Sequence, residues 1–308
     1  MKDGALTAVK ECLNIKPWEK VLVLTDRKML GIGKTLYEAS KKVAPKTSLV
    51  VMKLTGRDGK EPPKDIAKAM KASDAVIAVT YYSLTHTRAS WNAYGKGARI
   101  ASMPRVAKFS FTKGGLTADY EEVNRLCKKM NRALKGSKGV MITSSNGTNV
   151  SLSVKGRKWH DDEGIFKKGT KPGNLPAGEV GIAPVENKTN GVIVFDKMGE
   201  LGENIKLTIK NGVAIKIERS RRLLSIVKKI GRKARIVGEL GIGTNPKARV
   251  IGNVLEDEKV LGTVHLALGR NIFFGGKNDV QFHKDGIIIK PTLSAGKKIL
   301  IKEGKWKV

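Results

Sequence analysis

Through the first half of the chain, short apolar runs of strand length alternate with stretches whose apolar positions recur every three or four residues. Residues 21–25, 48–54, 74–80 and 98–102 read as strands, with a further short one at 139–143. Between them, 34–43, 63–72, 88–95 and 119–134 read as helices. Pro45 ends the first, and Pro62 and Pro63 lead into the second, where a proline suits the opening turn. Strands separated by helical stretches in this way make βαβ units and a parallel sheet.

After about residue 145 the pattern changes. Extended runs at 150–154, 191–195, 205–210, 213–218, 263–268 and 286–290 are separated by Gly, Asn and Pro. Asn211-Gly212, lying between two alternating runs, is a strong signal for a two-residue hairpin turn. One helix, at 221–234, interrupts this half, with Leu223, Leu224, Val227 and Ile230 as its apolar stripe. The fold expected is α/β: a parallel-sheet α/β domain over 1–145, then a β-rich α+β domain over 146–308. The boundary falls near 136–150.

Charge changes this picture little. The chain of 308 residues carries 59 Lys+Arg against 28 Asp+Glu, a formal charge of +31. That excess is spread evenly, +16 over residues 1–150 and +15 over 151–308. A nucleic-acid footprint concentrates on one patch, and aromatic residues, at 5%, are too few for a base-stacking platform. The densest basic stretch, 216–235, coincides with the amphipathic helix and reads as its solvated face. Weak, non-specific attraction to polyanions is expected. Cys12 and Cys127 are too few for a disulfide framework. No apolar run approaches a membrane span, and no secretory signal pattern is present, so a cytoplasmic protein is expected.

Several chemistries are excluded by spacing. Gly33-Lys34-Thr35 lacks a phosphate loop's first glycine, whose position holds Lys28. The glycine-rich 238–243 does not open a helix, so it is no dinucleotide fingerprint. Neither cysteine has a clear histidine partner, and no Gly-x-Ser-x-Gly elbow occurs. What stands out is a set of hard ligands in the second half. Glu179 follows Pro-Ala-Gly in an expected turn, and Glu239 is flanked by glycine. His265 lies within an apolar run, and His283 and Asp285 frame Lys284. In an extended segment positions i and i+2 share a face, so His283 and Asp285 can converge on one ion. Three carboxylates with two imidazoles suit Zn, Mn, Co or Fe(II) and can bridge two ions.

The same stretches resemble the aminopeptidase T group of metallo-aminopeptidases, which includes the thermophilic leucyl aminopeptidases. The matching segments are NLPAGEVGIAP (174–184), GELGIGTNP (238–246), TVHLALG (263–269), Gly275-Gly276 and HKDG (283–286), with Gly191 and Asp196. SLTHTRA (83–89) and GARIASMP (97–104) look similar in the first half. The resemblance implies two divalent ions, Zn, Co or Mn, held by Glu179, Glu239, His265, His283 and Asp285. It further implies removal of N-terminal residues from peptides by a hydroxide bridging the two ions. Glu179 or Glu239 would also serve as proton relay, and the protein would dimerise. Where characterised members carry a tyrosine seven residues after the first metal-site histidine, this chain has Ile272.

Two other readings use the same residues. The wider family includes ring-cleaving dioxygenases, and His265, His283 and Asp285 satisfy the two-histidine, one-carboxylate pattern of mononuclear Fe(II). Two additional glutamates argue for a pair of ions instead. A non-enzymatic polyanion-binding protein with a degenerate site is the third reading. His86 is expected before a helix, contacting substrate or a partner subunit, or else capping the helix or packing in the core. His160 is expected in a solvated loop, and Arg157 matches a Gly-Arg of the family.

Overall fold

The computed structural model describes residues 1–308. The chain forms two compact units, one of residues 1–124, 163–177 and 247–249, the other of 125–162, 178–246 and 250–308. The first holds the parallel sheet, in the order β2 (Thr47–Met52), β1 (Val21–Asp26), β3 (Ala75–Val79), β4 (Arg99–Ser102). β8 (Gly173–Asn174) adds a two-residue strand beside β4. Leu22, Leu24, Val76, Ala78 and Ile100 pack with helices Lys64–Lys71 and Arg88–Tyr94 through Ile66, Met70, Ala89 and Ala93. The central strands β1 and β3 are buried along their whole length, as both faces of a parallel sheet must be. Gly33-Lys34-Thr35 lies inside helix Leu30–Val43, not in a loop.

Three helical segments escaped the sequence pattern: residues 2–12 and the short helices Lys108–Thr112 and Val254–Asp257. Residues 2–12 form helix Lys2–Leu6 continued by the π-helical turn Thr7–Cys12. Its buried face, Ala5, Ala8, Val9 and Cys12, has helical spacing but small side chains, which makes it inconspicuous.

The second unit is built on a sheet of 13 strands. Its path runs β18 (Lys305–Trp306), β17 (Lys298–Lys302), β16 (Thr292–Ala295), β5 (Gly139–Thr143), β6 (Asn149–Ser153), β10 (Thr189–Lys197), β15 (His283–Ile288), β14 (Val264–Gly269), β13 (Val237–Gly243), β9 (Glu179–Ile182) and β7 (His160–Asp162). β11 (Glu203–Lys210) and β12 (Val213–Glu218) branch from β10 as a hairpin. Asn211 and Gly212 both have positive φ at its tip, as the sequence predicts.

Three expectations are corrected here. β5 is not part of the parallel sheet; it pairs antiparallel with β6, because the five residues between them allow only a hairpin. The helix expected over 221–234 stops at Ile230, where Gly231 (φ +97°) breaks it before a 3-10 turn. Leu223 and Val227 of its stripe are buried, whereas Ile230 is 39% exposed. Glu179 is not in a turn but opens the buried strand β9, and glycine-rich 237–243 is a strand buried along its whole length. No helix is long and apolar enough to cross a membrane.

Candidate metal centre

Four adjacent strands carry the predicted ligands, and their register explains how. Gly241 of β13 sits between Gly181 of β9 and His265 of β14; Gly243 faces Glu179, and Glu239 faces Ala267, which in turn faces Asp285 of β15. Side chains alternate between faces along each strand. One face therefore carries Glu179, Glu239, His265, His283 and Asp285 with glycine or alanine between them. The opposite face carries Val180, Ile182, Leu240, Ile242, Val264 and Leu266, all buried. The small residues leave room for the ligands. A Cβ on Gly241 would stand 2.1 Å from the His265 ring.

The structure brings all five residues together. His265 Nε2 lies 3.3 Å from Glu179 Oε2 and 3.8 Å from Glu239 Oε1. His283 Nε2 lies 3.0 Å from Glu239 Oε2 and 3.2 Å from Asp285 Oδ1. The Nδ1–H of His283 donates to the Arg270 carbonyl at 2.8 Å, which leaves Nε2 as the ligating nitrogen. Two groups of donors result, Glu179/Glu239/His265 and Glu239/His283/Asp285, with Glu239 common to both.

Three further charged residues enter the cluster. The Lys259 ammonium, 1% exposed, contacts Glu179 Oε1 at 2.9 Å, Glu258 Oε1 at 3.0 Å and Asp162 Oδ2 at 3.3 Å. Glu258 also groups with His265 and Asp285. No motif in the sequence marks Glu256–Lys259. In the structure all four residues are buried, Glu256 and Asp257 in the short helix Val254–Asp257 and Glu258 and Lys259 just after it. The signal available was the position of this run, directly between Val254-Leu255 and Val260-Leu261. His160, expected in a loop, is in β7 and half-buried, two residues before Asp162. His86 is exposed and belongs to the first unit.

Proton affinities follow from this crowding. Burial alone would lower His265, but hydrogen bonding to Glu239 and the charges of Glu179 and Glu258 raise it to about 9. His283 is likewise depressed by burial and driven well above its ordinary value by Asp285 and Glu239. Burial raises Glu179 and Glu258, with Lys259 only partly offsetting it, and brings Asp162 to about 6. For Asp285 burial pushes upward, and the His283 charge and hydrogen bond more than reverse it. Such a site binds protons where a metalloenzyme binds cations. Glu179 Oε2 is buried without a hydrogen-bond partner. A carboxylate oxygen left so, opposite an imidazole nitrogen, fits a divalent ion.

A loop closes over one side. Phe274, in the turn Ile272–Phe274, stacks on His283 with ring centroids 6.2 Å apart. Arg157 holds this loop: its guanidinium donates to the Gly275 carbonyl and pairs with Glu186 Oε2 at 2.6 Å. The other Glu186 oxygen accepts from Asn271 Nδ2 at 3.1 Å and Lys277 N at 2.6 Å.

The fold is shared with solved structures. A 2,5-dihydroxypyridine dioxygenase from Pseudomonas putida KT2440 matches with a TM-score of 0.79 at 16% identity, over 99% of this chain and 96% of that one. Wild-type AmpT from Thermus thermophilus matches with a TM-score of 0.75, also at 16% identity, over 100% and 98%. At such identities the likeness is one of fold. No curated protein sequence matches the chain. Residues 106–288, more than half of the chain and including every donor described above, match the family described as thermophilic metalloprotease (M29). The chain therefore belongs to the thermophilic metalloprotease (M29) family, a family of metal-dependent peptidases.

Proposed function

We propose that this protein is an aminopeptidase that works with two divalent ions. The observation that carries the reading is the split of Glu239, whose Oε1 faces His265 and whose Oε2 faces His283. Glu179 and His265 would hold one ion, His283 and Asp285 the other, and Glu239 would bridge them. Zn, Mn or Co supplies Lewis acidity to a scissile carbonyl and to the attacking water. The N-terminal amine of a peptide, once deprotonated, would be a neutral ligand for such a centre. Both carboxylates expected as proton carriers are placed as ligands: Glu179 has Oε1 held by Lys259 and Oε2 opposite His265, and Glu239 is turned to both histidines. Glu258 is the carboxylate the ligand set leaves over, and burial raises its proton affinity. It is the better candidate to take the proton from water and pass it to the leaving amine.

Metal analysis of protein purified without chelator tests this. About two Zn, Mn or Co per chain are expected, falling to one or fewer in Glu239→Ala, with hydrolysis of an aminoacyl amide by the loaded wild type alone. A single iron retained by Glu239→Ala would overturn the reading and favour ring cleavage.

A further inference from the structure

The ligands and the proton carrier leave Lys259 and Asp162 without an assigned place. Burying a lysine is costly, several kcal/mol for the ion unless its partners repay it. Here the ammonium's three N–H groups meet three carboxylates, each on a different segment: Asp162 on β7, Glu179 on β9 and Glu258 beside Lys259 itself. Three carboxylate oxygens converging on one point are also the donor set of a hard cation. Lys259 occupies the place such a cation would take.

Charge points the same way. Asp162, Glu179, Glu239, Glu258 and Asp285 bring five negative charges, and Lys259 one positive. The remaining −4 is what two divalent ions neutralise, with both imidazoles acting as neutral ligands. Geometry adds a second consequence. Because Oε1 of Glu179 is committed to Lys259, only Oε2 faces His265.

We propose that Lys259 is a resident counter-ion and positioning residue, which holds Glu179 to single-oxygen ligation and keeps the centre at two divalent ions by filling a third cation's cradle. This rests on the two-ion reading above. Lys259 touches no substrate in this role; it acts through Glu179 and through Glu258, both of which its ammonium contacts.

Native mass spectrometry after Co(II) loading and dialysis tests it by counting ions. Wild type should hold two. Lys259→Met should hold three, and Lys259→Met/Asp162→Asn, which returns the cluster to −4, should hold two again. A packing role for Lys259 predicts no such return. Wild type and Lys259→Met both at two ions, with Co(II) affinities within about threefold of each other, would overturn the inference while leaving the peptidase reading intact. Wild type holding one ion or none would remove both. If Lys259→Met does not fold, the double variant decides: folding with two ions supports an electrostatic role, and failure to fold shows the lysine to be needed for packing.

Discussion

Protons compete for His265 and His283 with the ions that these residues would bind. Without metal, His265 titrates near 9 against an ordinary 6.5, so its protonated form stabilises the fold fully below about pH 6.5. That contribution is lost as pH rises through 9. The melting temperature of chelator-treated protein should therefore fall between pH 6.5 and 9, while that of the metal-loaded protein should hold or rise as protons leave the ligands. Calorimetry of both forms across that range checks it. The space around His265 is equally decisive. Gly241→Ala puts a methyl group 2.1 Å from the ring, so it should cost about 1–3 kcal/mol or more in denaturant unfolding and abolish ion binding by the Glu179/His265 pair. At this scale the sequence was informative where a residue type is out of place. Histidine in an apolar run, glutamate between glycines and His-x-Asp before Gly-Ile-Ile-Ile all proved to share one site. Lys259 stayed hidden because charge next to charge is the ordinary appearance of surface.

Elements position these groups with differing rigidity. The ligand strands are fixed by register, but the turn that sets Phe274 against His283 depends on Arg157 and Glu186. Their side chains are only 12% and 22% exposed, so removing one partner leaves a charge poorly solvated. Arg157→Ala should cost about 1–3 kcal/mol in urea unfolding, and it should weaken the His283/Asp285 ion more than its neighbour, as stepwise Co(II) titration would show. Strand legibility followed composition. β10, β11, β12 and β14 announced themselves through aliphatic runs and Asn211-Gly212. β9 and β13 did not, since glycine is a poor strand former in isolation. Those glycines are present for the ligands' sake, so the strands most important to the site were the hardest to read. β5 is legible as a strand, but its antiparallel partner is not, because pairing depends on connection length as well as on pattern.

For the whole molecule, the alternation of pattern separated a parallel-sheet region from a large antiparallel one, although the chain returns to the first unit at 163–177 and 247–249. Those returns are short and carry no periodicity of their own. The +31 charge, even across both halves, is self-repulsion with no concentrated outlet. Raising NaCl from about 50 to about 500 mM shortens the screening length severalfold and should raise the melting temperature of the metal-free protein. A fall would show that local ion pairs outweigh the repulsion. The order of the donors along the chain has its own consequence. β15 lies between β10 and β14, and the imidazoles come after the carboxylates Asp162, Glu179, Glu239 and Glu258. A growing polypeptide thus displays acids long before it displays their histidine partners, and it cannot offer the full donor set until Asp285 has been made. Pairings so distant in sequence also form slowly. Capture of a cation by this donor set would accordingly come late in the protein's biosynthesis.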